Sequence, residues 1–122
     1  MERLLLGLAA IYGLTGVAVG AFAAHALKAR LDAYALGIMQ TATLYQMIHA
    51  LAILACVNVL GAESGGPRNA QICFALGIPL FSGSLYALAL TGHKMLGAIT
   101  PIGGLFFLLG WGCLLLAAIR SQ

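Results

Sequence analysis

Four long apolar runs, separated only by short polar breaks, dominate this chain of 122 residues. The breaks are the segments KARLD at 28–32, GAESGGPRN at 61–69 and GHK at 92–94. A helix needs about 20 apolar residues to cross the hydrocarbon core of a bilayer. We therefore predict four transmembrane spans, which cover residues 4–27, 38–60, 71–91 and 100–119.

The composition favours a membrane environment and excludes one class of partner. Only 7% of the residues are charged, whereas about 25% is usual in a soluble domain. The net charge of +3 comes from six Lys and Arg against three acids, which is too sparse for a nucleic-acid-binding surface. We predict an integral membrane protein that contacts the lipid bilayer and does not bind nucleic acid.

The first apolar run has to be distinguished from a signal peptide, because the segment AHA at 24–26 imitates a cleavage site. The run from Leu4 to Leu27 is long enough for a full span. We expect it to be the first transmembrane helix.

The short breaks also constrain how the helices are arranged. Helices joined by a few residues are antiparallel neighbours. We predict an all-α protein, in which residues 1–122 form one domain, an integral membrane antiparallel four-helix bundle. Asp32 is the predicted N-cap of the second helix, and Thr100 should cap the fourth, with Pro101 at its first position.

Small residues at helical spacing predict where the helices pack, because membrane helices associate through close contact rather than the hydrophobic effect. The sets are Ala9, Gly13, Gly16, Gly20 and Ala24 in the first span, Ala75, Pro79, Gly83 and Ala87 in the third, and Gly103, Gly104 and Gly110 in the fourth. Pro79 should also free the carbonyl of Ala75 and kink its helix. Packing inside one bundle is the main interpretation, and a dimer seam is the alternative.

Polar side chains inside the apolar runs are the candidates for a functional site. We call the membrane surface near residues 28–37 and 92–99 side B, and the surface with both termini side A. At about 1.5 Å of rise per residue, the candidates fall in the side-B half of the bundle. Because polar groups facing lipid are unfavourable, they should point inward and converge. The candidates are His25, Tyr45, Gln46, His49, Ser82, Tyr86 and Thr100.

Three interpretations of this cluster remain open: hydrogen bonds that only join helices, binding or transport, and catalysis or cofactor ligation. His25 and His49 could in principle ligate haem, but they lie at different depths, and we predict no cofactor and no metal. The acids Glu2, Asp32 and Glu63 lie at loops or at the terminus. No carboxylate is therefore placed to orient an intramembrane base.

Four segments carry a family resemblance: GAFAAHALK at 20–28, QTATLYQMIHALAIL at 40–54, PLFSGSLYALALTG at 79–92 and TPIGGLFFLLGW at 100–111. Together and in this order, they resemble a widespread family of small bacterial inner-membrane proteins of unknown function, which has a eukaryotic four-span relative. The resemblance implies a four-helix fold in the inner membrane and supplies no activity.

Three function classes follow from these observations. The leading one is a non-enzymatic membrane component that acts through helix contacts with itself or with a larger assembly. The alternative is a binder or conduit for a small solute, lipid or quinone, and an enzyme is third. The count of Lys and Arg is tied between the two sides. The basic tail of the resembled family favours cytoplasmic termini.

We also expect a symmetric homo-oligomer or membership of a membrane complex. If His49 and Ser82 point inward, Asn58 and Ser84 lie about 180° and 200° around their helices and point outward. The loops offer little binding surface. Partner contacts should therefore involve the membrane-embedded faces.

Overall fold

The computed structural model describes residues 1–57 and 65–120, and four long helices account for most of these residues. The helices are α1 Glu2–Leu27, α2 Ala33–Ala55, α3 Gly65–Thr91 and α4 Thr100–Arg120, which follows a 3-10 turn at Lys94–Ala98. With that turn counted in α4, each is long and apolar enough to cross a membrane. The described ranges contain no strand. The predicted fold class, a helical membrane bundle, is confirmed.

Three features of the sequence predictions lie outside the described residues. They are Asn58, Glu63 and the end of the second span beyond Val57.

Capping chemistry explains the start of α2 but not that of α4. Asp32 caps α2 as predicted, because its Oδ1 accepts a hydrogen bond from the backbone N–H of Ala35 at 2.8 Å. The prediction that Thr100 caps α4 is wrong. This residue is the first helical residue of α4, and its hydroxyl bonds to Ser84 and to the carbonyl of Leu96 instead.

The helices pack mainly in chain order. The principal contacts join α1 to α2, α2 to α3 and α3 to α4, and a smaller one joins α1 to α3. A hydrophobic core that includes Leu5, Ile53, Phe74 and Phe107 draws residues from all four helices. Because α3 contacts α2 on one face and α4 on another, it is the central element of the bundle.

Glycines allow α3 and α4 to approach closely. A Cβ atom on Gly103 would collide with the backbone of Phe81, and one on Gly110 would collide with the ring of Phe74. Gly77, which the sequence pattern did not select, lies in the same way against Phe107. The predicted contact role of Gly103 and Gly110 therefore holds, and both glycines face α3.

The small-residue ladder predicted for α3 is wrong at two positions. Pro79 and Gly83 are exposed, and nothing lies within 4 Å of a Cβ atom built on Gly83. On α1, Gly16 packs against Met47 and Gly20 packs against Thr43 of α2 as predicted. The prediction is wrong at Gly13, because nothing lies within 4 Å of a Cβ atom built there.

Pro79 changes the geometry of α3 locally. A π-helical segment, Pro79–Gly83, interrupts the α-helix there, as another does at Ala18–Ala23 in α1. Pro79 has no N–H to donate to the carbonyl of Ala75. That carbonyl instead accepts a hydrogen bond from the hydroxyl of Tyr12 at 2.8 Å. A side chain of α1 thus satisfies a backbone group that the proline leaves free in α3.

Candidate functional site

Gln46 is the centre of a buried hydrogen-bond network between α1, α2 and α3. Its Nε2 donates to the carbonyl of Tyr12 at 2.7 Å and to the hydroxyl of Thr15 at 2.8 Å. Its Oε1 accepts from the hydroxyl of Tyr86 at 2.7 Å, and that hydroxyl also lies 3.2 Å from the Thr43 hydroxyl. We call these five residues the Gln46 network. Every polar atom of the Gln46 side chain therefore has a partner.

Two serines of α3 bond to different neighbours. Ser82 is fully buried, and its hydroxyl donates to the carbonyl of Ala42 on α2 at 2.7 Å. Ser84 is also buried, and its hydroxyl lies 2.6 Å from that of Thr100 on α4 and 2.9 Å from the carbonyl of Phe81. The prediction that Ser84 points outward is wrong, because the central α3 buries opposite faces against α2 and α4.

His49 lies in a separate, aromatic environment between α2 and α4. Its Nδ1 is 2.7 Å from the carbonyl of Tyr45, and its Nε2 is 3.1 Å from the indole nitrogen of Trp111. Because an indole N–H can only donate, Nε2 accepts and Nδ1 carries the proton. The ring stacks on Phe107, with centroids 3.7 Å apart and planes at 5°. These contacts hold His49 as a neutral imidazole with both nitrogens engaged.

The structure therefore divides the predicted single cluster into separate groups. Gln46 and Tyr86 belong to the Gln46 network, whereas Tyr45 and His49 face the aromatic region near α4. Ser82 joins α2 to α3, and Thr100 joins α4 to α3. His25 is exposed in the last turn of α1 and shares none of these hydrogen bonds.

The predicted candidates did not include Trp111, nor Tyr12, Thr15 and Thr43 of the Gln46 network. A tryptophan deep in a span carries an N–H that needs an acceptor in the bilayer. That requirement was a usable signal for Trp111. Nothing in the sequence pattern marks Tyr12, whose acceptor lies 63 positions along the chain.

An open groove of about 450 Å³ runs between α2 and α4 on the lipid-facing side of the bundle. We call it the α2–α4 groove. Its lining residues are Tyr45, His49, Phe81, Pro101, Gly104, Leu105, Phe107, Leu108 and Trp111. His49 and Phe107 are buried at its base, while Leu105, Leu108 and Trp111 are exposed along its α4 wall. The groove therefore offers an apolar and aromatic surface to whatever lies beside the protein in the membrane.

The chemistry that these groups support is limited by the bonds they already make. Within residues 1–57 and 65–120, every buried side-chain nitrogen and oxygen has a hydrogen-bond partner. No group of three or more His, Cys, Asp or Glu there is placed to hold a metal ion. In the described structure, the buried polar side chains thus act as hydrogen-bonded links between helices.

Comparisons with known proteins identify one family. The family described as "Protein of unknown function (DUF423)" matches residues 19–104. A UPF0382 membrane protein of Haemophilus influenzae is 42% identical over 100% of this chain and 98% of its own length. The UPF0382 inner membrane protein YgdD of Escherichia coli K12 is 43% identical over 99% of this chain and 93% of its own. A UPF0382 membrane protein of Staphylococcus aureus is 41% identical over 97% of each chain. No solved structure matches.

Proposed function

This chain belongs to the DUF423 family, and on that premise we propose that it is a non-enzymatic inner-membrane component that acts through helix contacts. The name of the Escherichia coli relative, an inner membrane protein, and the four apolar helices support the location. The shared hydrophobic core supports treating residues 1–122 as one domain.

The observation that carries this proposal is a stripe on α4 in which every residue except the half-buried Gly104 is exposed. Pro101, Gly104, Leu105, Leu108 and Trp111 recur at the spacing of one helix face and form the α4 wall of the α2–α4 groove. Ridges of this kind pack into the grooves of another helix. Gly104 adds a position where a second backbone can come close.

We propose that the occupant of the groove is α4 of a second copy of this chain. A two-fold axis would place the same stripe on both sides of the contact and give a closed homodimer. A transmembrane helix of another subunit in a larger complex is the alternative occupant. The internally satisfied polar groups support this view, because they serve as links between helices rather than as reactive groups.

Cysteine cross-linking tests the seam. In a background with the native cysteines replaced by alanine, Leu105→Cys and Leu108→Cys should each give a disulfide-linked dimer in membranes under a membrane-permeant oxidant. Leu14→Cys is the matched control. Leu14 is 73% exposed and Leu108 is 70% exposed, and both lie about 18 Å from side A. Equal cross-linking at Leu14, or none at either α4 position, would contradict the proposed seam.

A second candidate function has one specific observation in its favour. The hydroxyl of Tyr45 has no hydrogen-bond partner among the described residues, and Tyr45 lines the groove beside Phe81, Phe107 and Trp111. A flat molecule with a carbonyl group, such as a quinone, could stack on these rings and accept from Tyr45. In this alternative, the groove binds a small molecule instead of a helix.

We propose that both termini lie in the cytoplasm, although the Lys and Arg count is equal on the two sides. The basic residue Arg120 near the C-terminus supports this orientation. Membrane-impermeant thiol labelling of intact cells tests it. Lys94→Cys should be labelled from outside and Arg120→Cys should not, and the opposite pattern would reverse the orientation.

A further inference from the structure

A cavity of about 290 Å³ lies at the side-B edge of the bundle, between the turn that follows α1 and the end of α3. Its rim carries Arg30, Asp32, Tyr34 and Lys94, and its inner wall is apolar, with Leu88 among its residues. We call this whole cavity the basic rim. It does not share a residue with the α2–α4 groove, so its role is independent of the proposed function.

The end of α3 positions one cation of the rim. Gly92 adopts a left-handed conformation with φ of 73°, and its N–H bonds to the carbonyl of Leu88 at 2.8 Å. This geometry favours glycine and terminates the helix. The chain then turns back at His93, which places Lys94 beside the turn that carries Arg30.

The charges of the basic rim favour an anion. Arg30 and Lys94 form no ion pair with any carboxylate among residues 1–57 and 65–120, where the salt bridge present joins Arg68 to Glu2 on side A. Asp32 contributes the opposing charge, but its Oδ1 is already bonded to the N–H of Ala35. Two cations against one carboxylate leave a net charge of +1, which matches the single negative charge of a phosphodiester.

An apolar groove continues from the basic rim toward the bilayer interior. It has a volume of about 460 Å³ and shares Tyr34 and Ile38 with the rim, and Gly37, Thr41 and Leu85 line it further along. From Tyr34 to Thr41 it follows α2 for about 10 Å. The hydroxyl of Thr41 bonds back to the carbonyl of Gly37 at 3.1 Å. The polar group of Thr41 is therefore satisfied within its own helix.

We propose that the basic rim and this groove together bind one anionic phospholipid. The phosphodiester lies between Arg30 and Lys94, and an acyl chain follows the surface of Gly37 and Leu85. A charged rim with an apolar extension into the bilayer fits an amphipathic anion, whereas a soluble phosphate would use the rim alone. Basic pockets between transmembrane helices bind lipid head groups on the cytoplasmic side of other membrane proteins. The proposed orientation places the basic rim in the opposite leaflet, where the same pairing of cation and phosphodiester applies.

Native mass spectrometry of delipidated protein tests this site. The protein is titrated with phosphatidylglycerol or with zwitterionic phosphatidylethanolamine of the same acyl chains. The wild type should bind phosphatidylglycerol about 5-fold more tightly, as a net charge of +1 near the surface predicts. The double variant Arg30→Gln/Lys94→Gln should lose this preference. The control Arg3→Gln/Arg120→Gln removes the same charge from exposed positions on side A and should keep it.

Two further measurements separate the lipid from other anions. Gly37→Leu fills the groove at a position where nothing lies within 4 Å of a new Cβ atom, so the fold should tolerate it. This variant should weaken phosphatidylglycerol binding, and glycerol phosphate should not displace the lipid. Equal loss in the two charge variants, an unaffected Gly37→Leu, or displacement by glycerol phosphate would overturn the proposal. Unchanged midpoints of thermal unfolding confirm that the variants are folded.

Discussion

The indole N–H of Trp111 donates to Nε2 of His49 over 3.1 Å, and this hydrogen bond joins the two helices that flank the α2–α4 groove. Trp111 is half exposed, while His49 is buried. The bond fixes the neutral tautomer of the imidazole at the base of the groove. It also gives the groove a defined shape, because the ring of Phe107 stacks on the imidazole that Trp111 orients.

The link between Trp111 and His49 should be measurable as a coupling energy. Trp111→Phe removes the donor, and His49→Phe removes the acceptor. We expect each change to lower the stability of the detergent-solubilised protein, with a coupling of about 1 kcal/mol in a double-mutant cycle. Equilibrium unfolding in a denaturing detergent gives the four values. Additive effects would show that the bond does not stabilise the fold.

The bond from Tyr12 to the carbonyl of Ala75 should contribute most to stability while a proline is present at position 79. Tyr12→Phe should lower the stability by about 1 kcal/mol, because it leaves a carbonyl without a donor. In a Pro79→Ala background, residue 79 regains an N–H that can reach this carbonyl. The effect of Tyr12→Phe should then be smaller. The same unfolding assay checks this, and an equal effect in both backgrounds contradicts it.

The contact between α3 and α4 should tolerate no side chain at Gly103. Gly103→Ala places a methyl group against the backbone of Phe81, so α4 must move, and we expect a loss of about 1–3 kcal/mol. Gly112→Ala on the same helix is the control. Nothing lies within 4 Å of its new Cβ atom, and it should be neutral or stabilising. Thermal unfolding compares the two, and equal effects would refute the proposed close approach.

The fluorescence of Trp111 can show what occupies the α2–α4 groove. Trp111 is the only tryptophan of the chain, so its fluorescence reports on this groove alone. If a helix fills the groove, a quinone should quench the emission only in proportion to its concentration in the bilayer. Saturable quenching that Tyr45→Phe abolishes would instead support the small-molecule alternative.

Much of the fold followed from patterns that act locally. The apolar runs gave four helices, and Asp32 begins α2 because its carboxylate caps free backbone N–H groups. Gly16, Gly103 and Gly110 lie at helix contacts because close packing requires small residues. Each of these predictions depends on one helix or on a short segment of chain.

The arrangement of the polar site depends on which helix faces which, and local sequence patterns do not reveal this. Gln46 and His49 are three residues apart, or about 60° around α2. That angle directs Gln46 toward α1 and α3 and His49 toward α4. Ser84 was misplaced for the same reason, because the central position of α3 gives it two buried faces.

A large side chain at Gly104 should prevent the assembly of the protein without lowering its stability. A Cβ atom on Gly104 would lie 3.8 Å from the ring of Phe81, an ordinary contact, so a larger side chain should enter the groove without unfolding the bundle. Gly83→Leu is the matched control, because Gly83 is exposed on the lipid-facing side of α3 and has open space around it.

The most direct test of the central claim, contact between copies through the α2–α4 groove, is native mass spectrometry from lipid nanodiscs. Wild type and Gly83→Leu should appear at twice the 12.6 kDa mass of one chain, and Gly104→Leu should appear as a single chain with an unchanged unfolding midpoint. A single-chain mass for the wild type at every protein density, with no co-purifying subunit, would contradict the claim. Dissociation by Gly83→Leu instead of Gly104→Leu would contradict it as well, because the seam would then lie on α3.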